Sequence, residues 1–340
     1  MSGARRIRVA GAGALGLTTA LALADAGWRV EVFDPAPGAN ASSVAAGMLA
    51  PAFETVLDAS SLGHFDLLAA ARDLWPALAA RAGATLYREG AVEVGEEAKI
   101  EAHERALAGL GAQPRRLSGA EIAALAPGLG EAYRHAVFTP ADWRLDAGAA
   151  LAALRAAAES AGVVFHASQA PGDRDELLVV ATGASRSLAT VAPELARLTP
   201  IKGHILRLQA PPRRGPVVRG EGVYAAPSPQ GLIVGATMEV GTDDARIDPR
   251  RAAGLLKAGT RLFPAIAGAA FTVATGIRAA TPDGLPMAGW SIRPGVLLAV
   301  GARRNGWLLA PLVAQTVVDC LAQAAPGVHA DRLAPGRFAA

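Results

Sequence analysis

The feature that most constrains the fold is a set of three glycines between a short apolar run and an Ala/Leu-rich segment. Gly11, Gly13 and Gly16 follow the apolar residues 7–10 and open the predicted helix 14–26. In strand–turn–helix units that bind dinucleotides, the first glycine permits the tight turn and the second lets the backbone approach a pyrophosphate. The third lets the helix pack closely on the strand, and the helix N-terminus offers N–H groups to phosphates.

An acidic residue ends the next predicted strand, 29–33. Asp34 lies 21 residues after Gly13, where a carboxylate can accept hydrogen bonds from ribose hydroxyls and disfavours a 2′-phosphate. The motif therefore indicates NAD or FAD rather than NADP, and does not choose between the first two. Later strand-to-glycine turns at Thr182-Gly183 and Gly301 indicate that the chain returns late to the nucleotide domain, which is expected of a flavin enzyme.

The N-terminal segment also has the outline of a secretory signal peptide, with two arginines before an apolar stretch. Thr18, Thr19 and Asp25 interrupt that stretch and a second strand follows, so we interpret it as a buried strand and helix. No other uncharged apolar run reaches the roughly 20 residues of a membrane-spanning helix. We therefore expect a soluble, cytoplasmic protein that does not enter a membrane.

Composition excludes several classes of protein. With 340 residues, 51% hydrophobic and 19% charged, the chain can bury a large core in about two domains. Lys and Arg (33) nearly balance Asp and Glu (30), and no basic stripe interleaved with aromatic residues occurs, so we expect no nucleic-acid partner. The single cysteine, Cys320, excludes an internal disulfide framework, and the six histidines lack zinc-type spacing, so no metal is expected.

The rest of the chain is α/β at both ends and β-rich in the middle. Residues 35–53, with several Pro, Gly and Ser, predict a loop, and Ser118 and Glu121 have the spacing of a capping box. Further helices are predicted at 62–82, 118–127, 147–161, 249–264 and 307–323, and strands at 86–94, 163–167, 177–181, 203–209, 222–226, 231–236, 271–278 and 296–300. This pattern predicts a nucleotide domain with a substrate-side sheet domain built from the intervening segments.

Five segments, in order over nearly the whole chain, carry a resemblance to a known family. They are Ser-Ser-Val-Ala-Ala-Gly-Met-Leu-Ala-Pro at 42–51, Pro-Ile-Lys-Gly at 200–203, Gly-Ala-Thr-Met at 235–238, Gly-Ile-Arg at 276–278 with Thr-Pro-Asp-Gly-Leu-Pro at 281–286, and Arg-Asn-Gly-Trp-Leu-Leu-Ala-Pro at 304–311. Together they resemble the glycine oxidase branch of the D-amino-acid oxidase family of FAD-dependent oxidoreductases.

The resemblance implies a fold and a domain division. The fold class is α/β, with an FAD-binding Rossmann-like domain and an interleaved substrate domain built on an antiparallel sheet. We expect the FAD-binding domain to comprise 1–84, 145–198 and 275–340, and the substrate domain 85–144 and 199–274.

The resemblance also implies non-covalent FAD and a set of residues that contact it. Together with the glycine turns, the predicted FAD-binding residues are Gly11, Gly13, Ala14, Leu15, Gly16, Asp34, Pro35, Ser42, Ser43, Ala46, Gly47, Met48, Thr182, Gly183, Ala302, Arg303, Asn305, Gly306, Trp307 and Leu308. Met48 could instead simply pack in the core.

Three further residues are predicted to face the substrate. By resemblance, Arg278 pairs with the substrate carboxylate, while Arg304 and Tyr224 take further substrate-side positions. A guanidinium binds a carboxylate bidentately, and an unpaired charge at the end of the apolar run 271–277 would be costly to bury. Each assignment has an alternative. Arg278 could be a surface arginine at a strand end, Arg303 could take the role of Arg304, and Tyr224 could be a half-buried tyrosine of a strand.

The chain departs from the family pattern in places. Asp34 stands where the family has a glutamate, and Ala302-Arg303 replaces His-Phe in the closing loop, which changes the polarity near the flavin. The segment 167–176 is short, so a backbone contact on the adenine side is hard to place.

The expected activity is oxidative deamination of glycine and small D-amino or N-methyl amino acids, serving thiamine biosynthesis. The products would be an oxoacid, ammonia or an amine, and hydrogen peroxide, with dioxygen as electron acceptor. The family also includes homo-oligomers. The alternatives are a D-amino-acid dehydrogenase that uses another electron carrier, and a non-enzymatic or tRNA-modifying module, which the small charge surplus disfavours.

Overall fold

Strands and helices alternate at both ends of the chain, and strands dominate its middle. The computed structural model describes residues 5–171, 176–210 and 214–338. The strands are β1 (Arg6–Ala10), β2 (Arg29–Phe33), β3 (Met48–Leu49), β4 (Leu86–Tyr87), β5 (Ala91–Gly95), β6 (Arg115–Leu117), β7 (His135–Thr139), β8 (Trp143–Leu145), β9 (Val164–His166), β10 (Leu177–Val180), β11 (Thr199–Gln209), β12 (Val217–Gly220), β13 (Val223–Ser228), β14 (Gly231–Gly235), β15 (Glu239–Val240), β16 (Phe271–Ala280), β17 (Met287–Trp290) and β18 (Val296–Val300). The helices are α1 (Ala14–Asp25), α2 (Ala41–Val44), α3 (Pro51–Leu57), α4 (Phe65–Asp73), α5 (Trp75–Ala82), α6 (Glu97–Gly109), α7 (Gly119–Leu125), α8 (Ala147–Ser160), α9 (Pro249–Leu262), α10 (Gly306–Ala322) and α11 (Ala330–Leu333).

A mostly parallel sheet carries the glycine turns. Among the described residues it has six strands, in the order β17-β18-β10-β1-β2-β9, and β17 alone runs antiparallel to its neighbour. Apolar residues are buried on both faces of this sheet. Ile7 and Val9 of β1 pack on one face with the apolar sides of α1, α8 and α10, and Ala10 packs on the other face with Val180 and Leu298. Because β1, β2, β10 and β18 run in the same direction, Gly11, Asp34 and Gly301 lie at one edge of the sheet.

The second sheet is largely antiparallel. Within the described chain it has nine strands, which run β15-β11-β14-β13-β12-β5-β7-β6, with β16 paired to β11. The β11–β16 ladder extends from Thr199 opposite Ala280 to Leu208 opposite Phe271, and β5 and β12 form a parallel pair. One face packs on α9, and the other packs against α3 through Ile205, Tyr224 and Phe53. Strands β3, β8 and β4 form a third, small antiparallel sheet in that order.

Several predicted elements had the wrong extent. The predicted loop 35–53 contains α2, β3 and the first turn of α3. The predicted helix 62–82 is two helices, because Pro76 at the start of α5 has no N–H to continue the first helix. The predicted strand 86–94 is interrupted at Gly90, whose φ is +78°. In the segment from α6 to β8 the only predicted element was the helix 118–127, which corresponds to α7 and has the predicted capping box.

The predicted domain division stays a prediction. Strands β8 and β16 continue across two of its limits, at 144/145 and 274/275. In the described part of the chain, no helix has the length and apolar character needed to span a membrane.

Candidate active site between the two sheets

The opening turn has room only for glycine at two of its three positions. Gly11 has a φ of +108°, and a Cβ there would lie 2.3 Å from the carbonyl oxygen of Ala181. A Cβ at Gly16 would lie 2.0 Å from the carbonyl oxygen of Gly11, so α1 packs directly on the turn. Gly13 begins α1, and a Cβ at this position would lie 3.2 Å from Ser42 Oγ. The turn therefore brings bare backbone to the edge of the parallel sheet.

Polar side chains hold this turn. The Asp34 carboxylate accepts the N–H of Ala12 and that of Ala36, each at 3.0 Å. Ser42 Oγ accepts the Ala14 N–H at 3.0 Å. Asp34 therefore braces the turn from the residue that follows β2.

The first turn of α1 faces a cavity of about 520 Å³. The Leu17 N–H donates to the Gly13 carbonyl at 2.9 Å, so the N–H groups of Leu15 and Gly16 precede the first bond of the helix ladder. Thirteen predicted FAD-binding residues line this cavity, namely Gly11, Gly13, Ala14, Leu15, Asp34, Pro35, Ser42, Ser43, Thr182, Gly183, Ala302, Arg303 and Gly306. A glycine turn, a helix N-terminus and a carboxylate that line one cavity fit a dinucleotide.

A second cavity, of about 330 Å³, adjoins the first. The predicted residues that line it are Ala46, Gly47, Met48, Tyr224, Arg304, Asn305 and Trp307. The two cavities share Ala41, Val44, Gly276 and Arg278, so the Arg278 side chain lies where they meet.

Two predicted FAD-binding residues line neither cavity. Gly16 is packed against the turn, and Leu308 is fully buried in the core, where its carbonyl lies 3.3 Å from the Trp75 indole nitrogen. The neighbouring Trp307 does reach the cavity wall, and its indole N–H donates to the Ser42 carbonyl at 3.1 Å. The stretch 302–308 therefore turns from cavity to core at its last residue.

Arg278 projects from β16 into the junction of the cavities. Its Nη1 donates to the Thr237 carbonyl at 3.2 Å and lies 3.5 Å from Met238 Sδ. The guanidinium covers Gly203, where a Cβ would lie 2.3 Å from Nη1. No carboxylate of the described residues forms an ion pair with Arg278, and burial lowers the pKa of its guanidinium. A half-buried cation held by a carbonyl and a sulfur is suited to binding a carboxylate.

The two arginines of the closing loop, Arg303 and Arg304, form ion pairs with carboxylates. Arg304 Nε lies 2.8 Å from Glu54 Oε2, and its Nη1 lies 3.5 Å from Asp58 Oδ2. Arg303 forms an ion pair with Asp58. The Glu54 carboxylate raises the pKa of Arg304. Arg304 therefore reaches the cavity already paired with carboxylates, whereas Arg278 does not.

Sequence reasoning missed a buried ion pair beside the cavity. Glu54 on α3 and Arg219 on β12 are 4% and 5% exposed, and Arg219 Nη2 lies 3.1 Å from Glu54 Oε1. The sequence did indicate that each charge is buried, because each stands alone in a largely apolar run. Glu54 lies in Pro-Ala-Phe-Glu-Thr-Val-Leu and Arg219 in Val-Val-Arg-Gly. Nothing in the local pattern identified them as partners.

Asp142 was missed as well. It is buried in the turn before β8, where its carboxylate accepts the N–H groups of Ala52 at 2.8 Å and Phe53 at 3.1 Å. These bonds fix the start of α3 and hence the position of Glu54. Burial raises the pKa of Asp142 to about 6.

Tyr224 lies on β13 with its ring buried and its hydroxyl over Gly235, where a Cβ would lie 2.5 Å from the hydroxyl oxygen. Burial raises the pKa of the phenol, so the side chain is neutral at ordinary pH. Of the described side chains that line the second cavity, four are basic and two are acidic, namely Lys99, Arg219, Arg278, Arg304, Glu54 and Glu93. This balance favours an anionic group in the cavity. The described residues contain no cluster of three or more metal-ligating side chains.

Comparison with known proteins gives a family match over most of the chain. A family model described as DAO, FAD dependent oxidoreductase, matches residues 6–320. The chain is 32% identical over 349 residues to the glycine oxidase of Geobacillus kaustophilus (strain HTA426), with 92% of each covered. It is 34% identical over 343 residues to the putative thiamine biosynthesis oxidoreductase ThiO of Rhizobium etli, with 92% of this chain and 95% of that protein covered.

A solved structure agrees with the sequence match. The crystal structure of glycine oxidase from Geobacillus kaustophilus superposes with a TM-score of 0.87 at 28% identity, covering 98% of this chain and 99% of the other. The predicted α/β fold class is confirmed by this likeness.

Proposed function

Because the chain belongs to the DAO family of FAD-dependent oxidoreductases, we propose that it oxidises glycine and small D-amino or N-methyl amino acids. The substrate, water and dioxygen would give an oxoacid, ammonia or an amine, and hydrogen peroxide. The names of two relatives, a glycine oxidase and a putative thiamine biosynthesis oxidoreductase, support this substrate class and a role in thiamine biosynthesis. FAD is the cofactor of the family, and the predicted cofactor is thereby confirmed.

The observation that carries the proposal is the position of Arg278. Its guanidinium lies where the cavity of the glycine turn meets the smaller cavity, and no described carboxylate neutralises it. A substrate carboxylate bound there would lie between the nucleotide-binding wall and the Tyr224 strand. The amino acid α-carbon would then be held at the junction itself.

The residues of the larger cavity would hold the cofactor. The backbone from Gly11 to Leu15 would face the diphosphate, the Asp34 carboxylate the ribose, and the 42–48 and 302–307 stretches the remaining length. When bound, FAD supplies a two-electron acceptor for the hydride of the substrate α-carbon.

The chain's own contribution is chiefly positioning. Arg278 would bind the carboxylate, neutral Tyr224 would line the same cavity, and Arg304, fixed by Glu54 and Asp58, would add to the positive charge around it. No side-chain base is needed when the substrate amine is already neutral. The rate at fixed substrate should therefore rise with pH as the amine loses its proton.

The first test is spectroscopic and enzymatic. The purified protein should be yellow and should release peroxide with glycine, D-alanine, D-proline or sarcosine. A protein that cannot be reconstituted with FAD, or that oxidises none of these, would contradict the proposal.

The alternative is a D-amino-acid dehydrogenase that passes electrons to a carrier other than dioxygen. The same site chemistry serves both reactions, so turnover must be compared in air and with an artificial acceptor without oxygen. Fast turnover only with the artificial acceptor would favour the dehydrogenase.

A further inference from the structure

A fully buried histidine lies behind the Arg278 site. His204 is on β11, next to Gly203, whose Cα is covered by the Arg278 guanidinium. Since successive strand residues point to opposite faces, His204 points away from the cavity, toward the side where α9 packs. None of the roles in the proposed reaction uses this side chain.

The hydrogen bonds of His204 define its tautomer. The backbone N–H of Asp248 lies 2.9 Å from Nε2, and an amide N–H can only donate, so Nε2 is the unprotonated acceptor. The ring proton therefore resides on Nδ1, which lies 3.0 Å from Glu239 Oε1 and 3.1 Å from Thr237 Oγ1. The imidazole thus joins the residue before α9 to the segment after β14.

The same network holds Thr237 at several points. The His204 backbone N–H donates to Thr237 Oγ1 at 2.8 Å, and the Thr237 N–H donates to the His204 carbonyl at 3.3 Å. The Thr237 hydroxyl in turn donates to Glu239 Oε1 at 3.0 Å. The Thr237 carbonyl, fixed in this way, accepts Arg278 Nη1, and the next residue places its sulfur against the same atom.

We infer that His204 is a positioning residue for carboxylate binding, because it fixes the Thr237-Met238 segment that aims the Arg278 guanidinium. The inference rests on the proposed function, since it assumes that Arg278 binds the substrate carboxylate. His204 lines neither cavity and acts on Arg278 through Thr237, both directly and through the Glu239 carboxylate that the two share. Loss of the imidazole should loosen the guanidinium and weaken carboxylate binding while leaving the FAD site intact.

The test compares His204→Ala, His204→Asn and His204→Gln in the FAD-loaded enzyme. Acetate, a carboxylate without an oxidisable amine, is titrated while the flavin absorbance is followed, and KM and kcat for glycine are measured. We expect His204→Ala to raise the acetate Kd and the glycine KM about tenfold or more, with kcat changed less than about threefold. His204→Asn, which can replace the Nδ1 donor, should restore binding better than His204→Gln, which can replace only the Nε2 acceptor.

Leu206→Val is the matched control, since Leu206 is buried two residues further along the same face of β11. It should leave the acetate Kd unchanged even if it lowers the melting temperature. Equal acetate affinity in wild type and all three histidine variants, or equal weakening in Leu206→Val, would overturn the inference alone. A flavin-loaded wild type that responds to neither acetate nor glycine would overturn the proposed function and the inference with it. If His204→Ala does not fold, the acetate Kd values of the other two variants decide. A lower Kd in His204→Asn than in His204→Gln supports the inference, and the reverse order or equal values overturn it.

Discussion

Arg278 and Arg304 line the same cavity, but only Arg304 is paired with neighbouring carboxylates. Glu54 and Asp58 form ion pairs with Arg304, whereas Arg278 is held by the Thr237 carbonyl and the Met238 sulfur. Both were predicted to face the substrate by family resemblance, and only Arg278 was also singled out as a cation at the end of an apolar run, 271–277. The acids that separate their roles lie some 250 residues away in the chain from Arg304, so no local pattern could have distinguished them.

Adding one methyl group at Gly203 tests the position of the Arg278 guanidinium. In Gly203→Ala the new Cβ would lie 2.3 Å from Arg278 Nη1, so the flexible guanidinium must move while the backbone stays. We expect the glycine KM to rise about tenfold with little loss of thermal stability, because the binding geometry is displaced rather than the fold. Steady-state kinetics and a melting curve measure the two effects.

Gly254→Ala is the control for that substitution. Gly254 lies within α9 with open space around it, and alanine there should stabilise the helix by about 0.5–1 kcal/mol. A Gly203→Ala enzyme with the same KM as Gly254→Ala would show that the guanidinium does not lie where we describe it.

At the scale of elements, the turn before α1 should decide FAD retention. In Gly16→Ala the Cβ would lie 2.0 Å from the Gly11 carbonyl oxygen, so α1 must shift away from the turn. Such overpacking typically costs about 1–3 kcal/mol and should disturb the phosphate-binding backbone. We expect the purified variant to lose most of its flavin absorbance, and full FAD occupancy would contradict the proposed cradle.

Helix α3 is anchored at its start by Asp142. Burial raises the pKa of this carboxyl to about 6, above its ordinary value near 3.8, so the folded state binds the proton more tightly than the unfolded state. This group therefore contributes stability at low pH that is lost as pH rises from about 4 to about 6. Asp142→Asn cannot ionise and lacks this pH dependence.

Asp142→Asn should accordingly cost more stability near pH 4 than near pH 8, by up to roughly 3 kcal/mol. Urea unfolding of both proteins at the two pH values gives the difference directly. A cost that stays constant, or that grows with pH, would show that the Asp142 carboxyl is not protonated preferentially in the folded state.

At the scale of the whole molecule, the sequence was most informative where function depends on backbone geometry. The turns at Gly11 and Gly301 and the acid at Asp34 predicted the edge at which the parallel strands end. Helix α6 went unpredicted because its apolar stripe is thin, with Ile100 and Leu107 as its buried residues. The Arg219–Glu54 pair went unpredicted because its members are 165 residues apart and meet only through the fold.

The central claim is that Arg278 holds the carboxylate of an amino acid beside the flavin. The direct measurement is kcat/KM for glycine in FAD-loaded Arg278→Ala, with Arg155→Ala, a surface arginine paired with Glu159, as the control. We expect a loss of roughly 100- to 1,000-fold, about 3–4 kcal/mol of transition-state binding, together with loss of acetate binding, and no change in the control. Unchanged kcat/KM in a flavin-loaded Arg278→Ala enzyme would contradict the claim.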